Sequence, residues 1–174
     1  MVERLTGGTA GGKKVIGPDK TLNNGDVIDI GDTSFRIHHT GPAHTDNDIM
    51  IEVVDQKALF TGDVVRNGAL GLMESDASFK GNIAAIDWMV EKKFKHYIPG
   101  HGRAGGIEIV QAYRAYLDKL LTTVKRLYAE NLSDHEMKPA VLQAVSAYKD
   151  WAGFELVLGP HVSRAYLEVE VEAF

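Results

Sequence analysis

His38–Val53 reads HHTGPAHTDNDIMIEV, with three histidines and two aspartates crowded ahead of an apolar run. Upstream, Phe35 and Ile37 flank Arg36, an alternation typical of a half-buried strand. Downstream, DIMIEVV has the same strand character. The stretch therefore reads as strand, polar loop, strand. Loops at strand ends are where rigid scaffolds hang functional side chains.

Working outward, TLNNGDVIDIGDTSFRIHHT carries turn signals at Asn24-Gly25 and Gly31-Asp32. Ile28 and Ile30 flank Asp29. DIMIEVV and KALFTGDVV form two more strands joined at Asp55-Gln56, and KKVIG is a further short strand candidate. An antiparallel meander is expected. The period then changes. NIAAIDWMVEKKF places Ile83, Ile86, Met89 and Val90 near one helical face, with Trp88 at its edge. A short strand, HYIPGHG, follows. In GIEIVQAYRAYLDKLLTTVKRLYAENL, the residues Ile109, Tyr113, Tyr116, Leu120 and Leu127 recur at helical spacing. Ser133 with Glu136 fits a capping box for a third helix, and Pro139, past its first turn, allows a kink or a later start. GPHVSRAYLEVEV reads as a last helix, although its tail alternates like a strand. The fold class is α+β, an antiparallel sheet followed by helices. Residues 1–14 read as a flexible segment.

The chain has 174 residues, the size of one domain. A formal net charge of -5 argues against non-specific nucleic-acid binding, which needs a basic surface. No apolar run approaches a membrane span, and the start does not read as a signal peptide. There is no cysteine, so disulfides and thiolate ligands are excluded. Any metal must be held by His, Asp or Glu.

Three places can carry chemistry. They are His44 in GPAHTDND, Asp63 in LFTGDVV at a strand end, and His101 in YIPGHG at another. Each alone has an ordinary reading. His44 and His101 suit plain loops, and Asp63 after glycine suits a turn or a helix N-cap. His38 and His39 are adjacent on a strand, so one should pack inward and one face water, with ligation expected of neither. His96, His135 and His161 show no partner pattern.

In combination, GPAHTDND, ALFTGDVV and YIPGHG resemble the metallo-β-lactamase superfamily of hydrolases. The tail HVSRAYLEVE resembles its quinoprotein relay-system zinc metallohydrolase-like branch. The resemblance implies an αββα sandwich, here mainly its second half, with residues 1–174 as the C-terminal part of such a domain. It implies that His44 binds a first zinc, that Asp63 bridges two, and that His101 binds the second. Iron or manganese suit the same donors. In the intact enzyme a zinc-bound hydroxide would attack an amide, ester, thioester or phosphoester of a small-molecule substrate. Asp46 and Asn47 read either as hydrogen-bonding support for His44 or as an Asx-turn.

The family's His-x-His-x-Asp-His cluster does not occur in the sequence. About half of the metal ligands are then missing, and the chain alone is expected to bind metal poorly. The sheet face meant for the other half would be exposed. Association with a second copy or with a missing N-terminal half is expected; nucleic-acid and membrane partners are not. The alternative is a non-catalytic fragment or assembly module. The compartment, periplasm or cytoplasm, stays open.

Overall fold

The computed structural model describes residues 17–73 and 75–173. The KKVIG strand candidate and the 1–14 segment lie wholly or almost wholly outside them. Five strands form one sheet in chain order: β1 Val27–Ile30, β2 Thr33–His38, β3 Met50–Val53, β4 Ala58–Arg66 and β5 His96–His101. The first four pair antiparallel. Gly31-Asp32 makes the tight β1–β2 turn, and Gly31 takes a φ of 60° there. A 3-10 turn, Val54–Gln56, joins β3 to β4. β5 departs from the meander and lies parallel to β4. A parallel neighbour requires a crossover, and helix α1, Phe79–Lys92, supplies it.

The sheet has two different faces. Met50, Leu59 and Tyr97 are almost fully buried, with Leu59 and Tyr97 partners in the β4–β5 register. They join one core cluster with α1 and the helix α2, Ile107–Ala129. The five α2 residues named from periodicity, Ile109, Tyr113, Tyr116, Leu120 and Leu127, are all buried. The other face carries Ile37, Ile51 and Phe60 in register, beside paired Ile28 and Phe35. There Ile30 is 66% exposed and Phe60 44%, so this apolar face is open.

Helices α3, Asp134–Ala144, and α4, Phe154–Ala173, complete the fold. Glu136 accepts a hydrogen bond from the Ser133 N–H at 2.9 Å, as in a capping box. α3 starts right after that cap and contains Pro139, so the later start is not taken. The tail that alternates like a strand is helical: Val157, His161, Ala165 and Val169 are buried at four-residue steps. Glu168 on α4 accepts from the N–H groups of Phe79 and Lys80, which ties the two ends of the chain's helical layer together.

Candidate metal centre

Each predicted site residue sits at the same end of the sheet. His44 lies in the β2–β3 loop and is 9% exposed. That loop rests on the start of α1, because Ser78 N–H donates to the Ala43 carbonyl at 2.8 Å. Asp63 does not end its strand, nor does it cap a helix. β4 continues three residues further to Arg66. Register shifts on both sides of Gly62, which takes a φ of 54°, turn the Asp63 backbone out of plain strand geometry. His101 is the last residue of β5, and its carbonyl accepts from Asn67 N–H at 3.0 Å.

These elements bring the three residues around one carboxylate. His44 Nε2 is 3.6 Å from Asp63 Oδ2, and His101 Nε2 is 3.5 Å from Asp63 Oδ1. Each histidine thus faces a different oxygen. Both separations are longer than a good hydrogen bond. Close approach of β5 is what allows the carboxylate to lie there: a Cβ on Gly100 would collide with Asp63 Oδ1.

The donor chemistry suits a metal ion, since two imidazoles and a carboxylate match zinc, iron or manganese. Among the described residues, buried His44 also has an Nδ1 without a hydrogen-bond partner. Among the described residues, however, no three His, Cys, Asp or Glu side chains are grouped so that they could hold one ion. The two findings are compatible. Two pairs that share a carboxylate are not a triad around one centre.

The remaining candidates lie apart. His38 turns inward against Trp88, ring centroids 4.7 Å apart, and pairs with Glu52 at 2.8 Å. His39 is half-buried rather than exposed, and its Nδ1–H donates to the Asp48 carbonyl. Asn47 hydrogen-bonds within its own turn, in which Asp48 accepts from Thr45 N–H at 2.6 Å, while Asp46 N–H donates to the Asp76 carboxylate at 3.3 Å. Among the described residues, neither hydrogen-bonds His44.

Two residues were missed. Arg66 Nη2 donates to Asp63 Oδ2 at 2.9 Å, with the Arg66 side chain 10% exposed. Strand periodicity puts i and i+3 on opposite faces, so only the irregular backbone of β4 brings them together. An arginine inside an apolar run was the available signal. His161 is fully buried, and its place on the Val157–Ala165 stripe could have flagged it. Behind the site, burial pushes the Tyr113 phenol up to about 12; Arg66 pulls it down and Asp63 pushes it up.

Acyl-coenzyme A thioesterase MBLAC2 from Bos taurus is 31% identical over 108 residues, 62% of this chain and 32% of that protein. Hydroxyacylglutathione hydrolase from Francisella tularensis subsp. novicida (strain U112) is 33% identical over 61 residues, 35% of this chain and 24% of that one. The chain therefore spans about a third or less of the length of these relatives. A metallo-beta-lactamase from Pontibacter korlensis shares the fold with a TM-score of 0.53 at 24% identity, over 66% of this chain and 54% of that one. The family model described as the metallo-beta-lactamase superfamily matches residues 3–106, a span that contains His44, Asp63 and His101. With more than half of its length under that match, the chain belongs to the metallo-beta-lactamase superfamily.

Proposed function

We propose that this chain is the part of a metal-dependent hydrolase that supplies His44, Asp63 and His101 to the metal site. One observation carries the reading: a single carboxylate presents one oxygen to each of two histidines from different strand ends. Zinc is the first choice of metal, with iron or manganese as alternatives. A metal held there supplies Lewis acidity and lowers the pKa of water towards neutrality.

The chain's own residues divide the work. Asp63 offers one oxygen beside each histidine. His44, almost buried, forms the inner wall. The His101 side chain, 57% exposed, marks the side from which substrate arrives. The names of the two curated relatives both describe release of an acyl group from a carrier, which supports an acyl ester or thioester as the bond cleaved. Catalytic zinc sites use three protein ligands plus water. Three side chains shared between two ions fall short of that, so on this reading a complete site takes ligands beyond His44, Asp63 and His101.

Metal titration of the purified chain tests this directly. Weak binding is expected, and it should vanish in Asp63→Asn. Near two equivalents of tightly held metal would refute the shortage of ligands. Binding that Asp63→Asn leaves intact would refute the assignment of the site. An acyl thioester and an acyl ester, offered to the chain with metal, test the bond class.

A further inference from the structure

Arg66 is a buried cation with no part in the proposed coordination. Its one carboxylate partner among the described residues is Asp63, and it takes Oδ2, the oxygen that faces His44. Burying a guanidinium is costly, so the surroundings must hold it firmly. They do so from two sides. The guanidinium lies flat against Gly71, where a Cβ would collide with Cζ, Nη1 and Nη2. Gly71 is tied in turn to α4, because His161 Nε2–H donates to its carbonyl at 2.7 Å. His161 Nδ1 then accepts from the Tyr116 hydroxyl at 2.8 Å, which fixes the tautomer. Leu70 N–H to the Ala152 carbonyl, 2.8 Å, stitches the same loop to the turn before α4.

We propose that Arg66 is the positioning residue of this site, and that Gly71 and His161 hold it in place. The proposal rests on the metal-site reading above. By holding Oδ2, Arg66 sets the plane of the carboxylate. Oδ2 then stays towards His44 and Oδ1 towards His101. α4 lies beyond the residue 3–106 family match, so the later helices take part in the site through this chain of contacts. A cation kept for its charge alone would act in the opposite sense, because it repels a bound metal ion. The two roles therefore predict opposite effects when Arg66 is removed.

Four proteins decide it: wild type, Arg66→Met, Arg66→Lys and Gly71→Ala. The first readout is metal-free. The imidazole 1H–15N signals of His44 and His101 should move in Arg66→Met and Gly71→Ala, and less in Arg66→Lys. The second is a cobalt(II) titration of the same proteins. Affinity should fall about 10–100-fold in Arg66→Met and Gly71→Ala, the range expected for groups that orient metal ligands. The cobalt absorption bands should change shape, with partial recovery in Arg66→Lys. A purely structural role would lower the melting temperature without moving the histidine signals. Unmoved histidine signals, or cobalt held as tightly or more tightly without Arg66, would overturn the proposal. Should Arg66→Met fail to fold, Gly71→Ala keeps the charge and carries the same readouts. If wild type binds no cobalt, the metal-site reading fails, while the metal-free spectra still decide what Arg66 does to Asp63.

Discussion

Glu168, late in α4, accepts a hydrogen bond from the backbone N–H of Phe79, the first residue of α1, at 2.7 Å. It also takes the Lys80 N–H and the Ser78 hydroxyl. A carboxylate at a helix N-terminus satisfies orphan donors and suits the helix dipole. Glu168→Ala should cost about 1.5–3 kcal/mol, the range for hydrogen bonds to a charged group. Glu168→Gln should fall between it and wild type. Urea unfolding midpoints check both.

His161 makes stability depend on pH. Burial is the main cause that lowers its pKa from 6.5 to about 4; the Gly71 carbonyl opposes this, while Arg66 and His44 add to it. Between those values the unfolded chain binds a proton that the folded chain does not. Stability from this group is therefore full above about pH 6.5 and falls as the pH drops towards 4, by roughly 3 kcal/mol in all. His161→Gln does not titrate there and should flatten that part of the profile. Thermal melts of both proteins across the window show the difference.

Removing Asp63 has a cost unrelated to metal. Asp63→Ala leaves the Arg66 guanidinium buried without its carboxylate. An unpaired buried charge costs about 3–5 kcal/mol, here discounted to about 1–3 because the Asp63 side chain is a third exposed. Asp63→Asn keeps an acceptor and should lose less. Guanidinium chloride unfolding of the two variants should separate them by about 0.5–1.5 kcal/mol.

Gly100 should not tolerate a methyl group. Its Cβ would meet Asp63 Oδ1. Gly100→Ala should push that oxygen off its line to His101 and weaken metal binding about tenfold or more. The overpacking should cost about 1–3 kcal/mol. Calorimetric metal titration beside a thermal melt distinguishes the two effects.

The open sheet face should find a partner. Leu22, Ile28, Ile30, Phe35, Ile37, Ile49 and Ile51 line one wholly apolar surface. We expect a second copy to cover it when the chain is alone, so that size-exclusion chromatography gives a species larger than the 19.1 kDa monomer. Ile30→Lys with Phe60→Lys should shift the population to monomer. A clean monomer for the unaltered chain would refute self-association.

Much of this molecule was legible from residue pattern. Period-two alternation around Arg36 and Asp29 located β1 and β2, because successive strand side chains point to opposite faces, here with the apolar set on the open face. The helical stripe from Ile109 to Leu127 located α2, since its whole length packs on one side. The family resemblance carried by GPAHTDND, ALFTGDVV and YIPGHG pointed to three residues that the fold brings together. Less was legible at the last helix. Its tail alternates like a strand, and only packing against α2 and α3 settles such a case.

What the sequence alone determined were most of the local elements, which depend on short-range pattern, and the choice of His44, Asp63 and His101 as candidates. What only the tertiary structure decided was the arrangement around Asp63. The parallel placement of β5, the bulged end of β4 and the line from His161 through Gly71 to Arg66 join residues far apart in the chain. Such contacts exist only once the core has packed, and no local period records them.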